Sequence, residues 1–141
     1  MMIPLLLGLT LTSPDVKTGV QIPQAFVWNK NGCHGQNRTP RLTWDAPPPG
    51  TRTLSISVYD HDAPGPRAWL HWSVFRIPPT ARGLGAVMPP GVLVLTNDFG
   101  TVGWGGPCPP PGQLHHYTFT LHAVLDNGHI VNAQLIPVYK R

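Results

Sequence analysis

The sequence predicts an all-β fold: an antiparallel β-sandwich with Greek-key connections and little or no helix, formed by one domain over residues 1–141. Three observations predict it. The chain carries 15 Gly and 18 Pro yet is 41% hydrophobic, the mixture of tight turns and short apolar strands rather than of a disordered tract. Its six acids are all aspartates, Asp15, Asp45, Asp60, Asp62, Asp98 and Asp126, and the Ala, Glu, Lys and Leu runs that favour helix are missing. Several segments alternate apolar and polar residues with the period of two that marks a half-buried strand.

The elements follow in order. The apolar opening MMIPLLLGLTLTSP has no basic residue before Lys17 and no small-residue cleavage site. Residues 5–12 are therefore expected as a first strand rather than a signal peptide. The stretch is too short to span a bilayer, and no stable membrane insertion is expected. Further strands are expected at 25–28, 41–44, 92–96 and 130–134. In TLSISVYD, Leu54, Ile56 and Val58 face one way and Ser55, Ser57 and Tyr59 the other, so Asp60 ends a strand and Asp62 lies just past it. The PGPR turn at 64–67 leads to HWSVFRI, where the same alternation is expected over 71–77. In HYTFTLHAV, Tyr117, Phe119, Leu121 and Ala123 share one face, and Thr118, Thr120 and His122 the other.

A net charge of +4 permits anionic partners, but the basic residues are scattered singly and form no stripe with aromatics, so nucleic acid is not an expected partner. Cys33 and Cys108 fit no zinc or CxxC pattern. They are either two buried thiols or one disulfide. A cytoplasmic location is expected; a cleaved opening would instead make the protein periplasmic or secreted and the bridge more favourable.

Chemistry concentrates in two places, the DHDAP turn followed by His71, and GWGGPCPPPGQLHHY. If the strand runs through His115, then His115 and Tyr117 project to one face and His116 to the other. A histidine and a phenol side by side offer two donors to an oxyanion, and a Gly- and Pro-rich loop lets backbone N–H groups approach it.

DHDAP, the following HW, NDFG, GGPCPPPG and HHY, in that order and spacing, resemble the two signature regions of the phosphatidylethanolamine-binding protein (PEBP) family, in its prokaryotic Raf-kinase-inhibitor-like branch. The similarity covers most of the chain. The resemblance implies a β-sandwich with an anion pocket at one end, lined by Asp60, Asp62, Trp69, His71, Gly106, Pro107, Pro109, His115 and Tyr117. It also implies that Cys33 and Cys108 lie close together in loops near that pocket. One carboxylate of the turn is expected to accept from a ring nitrogen of His71 and favour its imidazolium, and the other to accept backbone amides or meet a cationic head group.

Four departures stand out. His61 replaces the usual Pro between the aspartates. HHY replaces HRY, removing an arginine beside the pocket. The stretch between the Pro-rich loop and His115 is one residue short of the commonest spacing, and VLDNGHIV passes almost directly from strand to strand where relatives insert a helix.

The leading function is a non-enzymatic protein that binds small anionic or phosphate-bearing ligands and regulates a kinase or protease, with no cofactor and with a homodimer permitted. The alternatives are a small hydrolase or phosphatase using His71 and His115 with Asp60 or Asp62, and an interaction protein with a vestigial pocket. Asp60 and Asp62 taken alone read as turn caps, and His71 alone as a core histidine. A His61, His71, His115 metal site is chemically suited to zinc but matches no metal spacing.

Overall fold

The computed structural model describes residues 8–141. Its strands are β1 (Leu11–Thr12), β2 (Leu42–Trp44), β3 (Thr51–Asp60), β4 (Trp69–Ile77), β5 (Gly83–Leu84), β6 (Leu93–Val94), β7 (Leu114–Leu125), β8 (Ile130–Leu135) and β9 (Val138–Lys140). A single 3-10 turn at Gln24–Phe26 is the helical content of the described residues. The strands form a small sheet in the order β1-β2-β5 and a larger one in the order β6-β4-β3-β7-β8, with β9 also pairing β7. Every strand pair is antiparallel.

The alternation in β3 and β7 explains the core. Leu54, Ile56 and Val58 of β3, and Tyr117, Phe119, Leu121 and Ala123 of β7, are completely buried. They join Leu42, Trp44 and Leu84 from the small sheet in one hydrophobic cluster. Burying a large apolar side chain is worth roughly 1.5–3 kcal/mol, so each large residue of this layer contributes substantially to stability. The other face is polar and laced across strands. The Ser57 hydroxyl meets His122 Nε2 at 3.0 Å, His122 Nδ1 meets Asn132 Oδ1 at 3.0 Å, and Gln134 donates to Thr120 at 3.4 Å. β7 turns directly into β8 through residues 126–129, where the Leu125 N–H donates to the His129 carbonyl at 2.9 Å.

Strand β4 departs from the expected alternation. Val58 pairs with Trp72 while Tyr59 pairs with Leu70, so His71 is an extra residue in the ladder. A second shift places Phe75 and Arg76 against Ser55, with Arg76 at φ 57°. Such bulges bend a strand and redirect its side chains. Trp72, Val74 and Ile77 therefore point inward, and His71, adjacent to Trp72, is buried with it. An unbroken period of two over 71–77 would have grouped His71 with Phe75, which is instead 45% exposed.

Other expectations shift more modestly. Residues 25–28 form no strand: their backbone groups bond to loops, with the Trp28 N–H donating to Pro107 and the Val27 carbonyl accepting from Asn37. The 92–96 strand contracts to β6 plus a bridge between Thr96 and Val102. Of the expected 5–12 strand, β1 covers Leu11–Thr12, and residues 5–7 lie outside the described residues. Strands β5 and β9, two and three residues long, were too short to leave a periodic signal.

Cys33 and Cys108 are bonded, with Cα atoms 6.0 Å apart across a sequence separation of 75. The bridge joins two loops that carry no ladder hydrogen bonds of their own. In the chain-entropy account, closing a loop of that length stabilises by about 4 kcal/mol. The Cys33→Ser, Cys108→Ser double variant is therefore expected to lose about that much in urea unfolding; an unchanged midpoint would show that the loops are held without it.

Candidate functional site

Three strands end at one level. Asp60, at the end of β3, pairs in register with Trp69 of β4 on one side and Tyr117 of β7 on the other. His115 lies two residues before Tyr117 on the same buried face, and the bulge turns His71 inward. These residues border a cavity of about 550 Å³, with Pro109, Asp98, Phe99 and Arg141 also in its wall.

The acids are used differently from the sequence expectation. Asp60 does not hold His71. Its Oδ2 meets His115 Nδ1 at 2.7 Å, both side chains being about 95% buried, and its Oδ1 accepts the Asp62 N–H at 2.9 Å. The other ring nitrogen of His115 meets the Gln113 side-chain amide at 2.8 Å. His71 Nδ1 lies 2.6 Å from the Gly105 carbonyl, and the Gly105 N–H donates to the His71 carbonyl at 2.9 Å. A carbonyl only accepts, so Nδ1 carries a proton.

The surroundings of His71 oppose the expected imidazolium. Burial pushes His71 below the ordinary histidine range and outweighs the Gly105 carbonyl and the Asp60 and Asp98 charges that oppose it. The surroundings explain the sign: the rings of Tyr117, Phe99 and Trp104 stand 5.1, 5.6 and 6.5 Å from the imidazole. Aromatic walls solvate charge poorly.

Asp62 lies outside the cavity lining. Its Oδ2 accepts from the N–H and from Nδ1 of His116, both at 2.8 Å, and the side-chain bond to His116 lowers its pKa. His116 sits on the opposite face from His115 and Tyr117, as the alternation required. Gly106 and Pro107 also lie outside the lining. The Gly106 N–H donates to Asn37 Oδ1 at 2.7 Å, and a Cβ there would run into the Phe26 carbonyl, while Pro107 accepts from Trp28. Their work is to close the 103–107 loop onto residues 25–28.

Asp98 and Phe99 were quoted within NDFG but given no place in the site. Asp98 exchanges two bonds with Leu70, its N–H donating to the Leu70 carbonyl at 2.9 Å and its Oδ2 accepting the Leu70 N–H at 2.7 Å. This docks the loop beside the bulge. The Phe99 ring stacks on Trp28 at 3.9 Å and meets Trp69 edge-on at 5.5 Å. Arg141, which follows Lys140 in a stretch remote from the site motifs, had no sequence signal of its own. The three imidazoles proposed for zinc do not converge: His61 is exposed on the turn, 6.0 Å from the Tyr59 ring, while His71 and His115 are tied as described. Among the described residues no three His, Cys, Asp or Glu side chains are placed to hold a metal.

One atom is conspicuous by its isolation. The Tyr117 hydroxyl is buried and makes no hydrogen bond within the protein; the indole N–H groups of Trp28 and Trp72 share that condition but do not border the cavity. Burial, then the charges of Asp60 and Asp62, raise the Tyr117 pKa. It remains an O–H donor throughout the physiological range.

Comparison with known proteins places this geometry. Residues 12–138 match the family described as phosphatidylethanolamine-binding protein. The chain belongs to the phosphatidylethanolamine-binding protein family. Among PEBP-family relatives, the UPF0098 protein YbcL of Escherichia coli is 36% identical over 92% of this chain and 86% of its own length. The UPF0098 protein YbhB of the same organism is 41% identical over 81% of this chain and 77% of its own. The crystal structure of E. coli YbcL, described as a member of the mammalian PEBP family, superposes with a TM-score of 0.88 over 94% of this chain and 98% of that one at 35% identity. A PEBP homologue from Chlamydia trachomatis gives 0.80 over 95% of this chain and 98% of that one at 26% identity.

The His71 environment sets a pH dependence. Its folded pKa lies below 6.5, so between the two values the unfolded chain binds more protons. Its contribution is fully present above about pH 6.5 and is lost as pH falls through the folded value. Stability measured by urea unfolding is expected to decline from about pH 6.5 downward, more steeply in wild type than in His71→Gln. Parallel curves for the two proteins would contradict this assignment.

Proposed function

We propose that this PEBP-family protein is a non-enzymatic binder of small oxyanions, phosphate or a phosphate monoester, and that the cavity between Asp60, His71, His115 and Tyr117 is the site. The observation that carries this reading is the Tyr117 hydroxyl. A buried hydroxyl without a partner costs roughly 1–3 kcal/mol, and such a group calls for a compensating role. A ligand oxygen accepting from it would recover that energy. The neighbouring groups support binding rather than hydrolysis: both ring nitrogens of His115 and Nδ1 of His71 are already engaged, and the Cys108 thiol is consumed by the bridge to Cys33. His115 therefore has no ring nitrogen left to act as a base, and among the described residues no Ser, Thr or free Cys lines the cavity for the remaining nitrogen of His71 to activate.

Regulation of a kinase or protease, and a homodimer, are proposals that rest on the family resemblance alone. Among the described residues no helix is long and apolar enough to cross a membrane. The Cys33–Cys108 bridge supports an oxidising compartment, the periplasm or the exterior, over the cytoplasm.

Two opposite effects of one substitution test the site. Tyr117→Phe removes a buried unsatisfied hydroxyl and is expected to stabilise the unliganded protein by about 1 kcal/mol. The same change removes a donor to a charged ligand and is expected to weaken phosphate binding about tenfold to a hundredfold by calorimetry. His116→Ala, on the far face, is expected to bind within about twofold of wild type. Unaltered phosphate affinity in Tyr117→Phe would remove the basis for the assignment.

A further inference from the structure

Both carboxylates of the cavity wall have partners. Asp60 is matched by His115 at 2.7 Å. Asp98 accepts from the Leu70 N–H and lies 3.6 Å from Arg67. His71 is desolvated, and Tyr117 keeps its proton. One lining residue, Arg141, carries a guanidinium charge with no side-chain carboxylate against it among the described residues.

The guanidinium is held in place, but weakly. Nη1 donates to the Pro109 carbonyl at 3.3 Å and Nη2 to the Asn31 carbonyl at 3.4 Å. Both distances exceed those of strong hydrogen bonds, and a guanidinium has five N–H donors in a planar fork. Most of its donor capacity is therefore unused. The two carbonyls belong to the loops joined by the Cys33–Cys108 bridge, and Cys108 Sγ itself lies 3.8 and 3.9 Å from the Lys30 and Asn31 carbonyls. Space for the guanidinium is made by Gly32, at φ 83°, where a Cβ would run into Nη2. A charged group set between two cross-linked loops at a cavity wall, with most of its donors free, is placed to receive an anion.

We propose that Arg141 is the charge-reading residue of the cavity: its guanidinium engages the oxygens of a bound phosphate group and selects anionic ligands over neutral ones of the same shape. The inference rests on the reading of the cavity as an oxyanion site.

The test uses inorganic phosphate and phenyl phosphate as probes in calorimetry, with wild type, Arg141→Met, Arg141→Lys and Tyr117→Phe, each checked for an intact thermal transition. Arg141→Met is expected to weaken phenyl phosphate binding tenfold or more. Arg141→Lys is expected to fall between, because a point charge keeps the attraction and loses the fork. Added NaCl is expected to weaken wild-type binding and to have a smaller effect on Arg141→Met, a response that loss of loop bracing alone would not produce. Arg141→Met within twofold of wild type, while Tyr117→Phe is impaired, overturns the role of Arg141 and leaves the cavity assignment standing. Arg141→Lys as weak as Arg141→Met, with the salt response of wild type retained in both, also overturns it in favour of a bracing role. Failure of wild type to bind either probe overturns both readings.

Discussion

The site depends on a reciprocal contact between His71 and Gly105. The backbone of Gly105 donates to the His71 carbonyl and accepts from the His71 ring. Each bond alone would be worth about 1 kcal/mol, but together they fix three things at once. They pin the loop after NDFG to the edge of β4, they supply a partner for the carbonyl of a bulged residue, and they set which ring nitrogen of His71 carries the proton. Only glycine fits at 105: an added Cβ would stand 2.6 Å from a ring carbon of Phe99 and 3.0 Å from the Asn97 side-chain nitrogen. Asn97 is itself committed, donating to Thr101 and Gly103 and accepting from the N–H groups of Phe99 and Thr101. The bulge, the tautomer and the aromatic wall thus share one anchor.

The acids near the cavity act through geometry more than through charge. Asp60 takes the His115 ring on one oxygen and the turn N–H of Asp62 on the other. It therefore fixes the end of β3, the start of the turn and the orientation of His115 together. Removing one member of such a buried pair typically costs about 3–5 kcal/mol, because the other is left buried without compensation. Asp62, two residues on, is near the surface, and its pairing with His116 is of the exposed kind, worth at most about 1 kcal/mol. The two aspartates of the DHDAP turn thus have different tasks: one builds the cavity floor, and the other fastens the turn to the neighbouring strand.

What could be read from the sequence follows from the range of the forces involved. The all-β class and the inward faces of β3 and β7 were legible because period-two burial is written residue by residue. The residues that meet around the cavity were largely legible from the order of DHDAP, HW and HHY, since strand ends carry short motifs. The partners of Asp60 and His71 were not. A bulge adds one residue to a ladder without leaving a composition signal, and in place of the expected contact between a turn carboxylate and His71 the structure has Asp60–His115 and His71–Gly105. Gly106 and Pro107 illustrate the same limit, since their motif is visible but its packing against Phe26 and Trp28 is a tertiary fact.

The wall opposite the strands raises a different problem. Strand ends are positioned by ladders, whereas the loops around Asn31 and Pro109 have few backbone bonds to hold them. Here the chain uses two devices that act over long sequence distance, a disulfide and an arginine. The bridge fixes the separation of the loops, and Arg141 spans their carbonyls. Neither device requires a regular element, which suits a segment so rich in Pro and Gly. The same economy explains why the cavity's charge comes from this side. A cation in the aromatic floor beside His71 would lose its hydration without gaining a partner. At the loop wall the Arg141 side chain is only partly buried, so its guanidinium keeps some solvation while remaining in reach of a bound anion. Desolvation thus sorts the groups by depth: the neutral Tyr117 donor at the floor, and the fixed charge nearer the mouth.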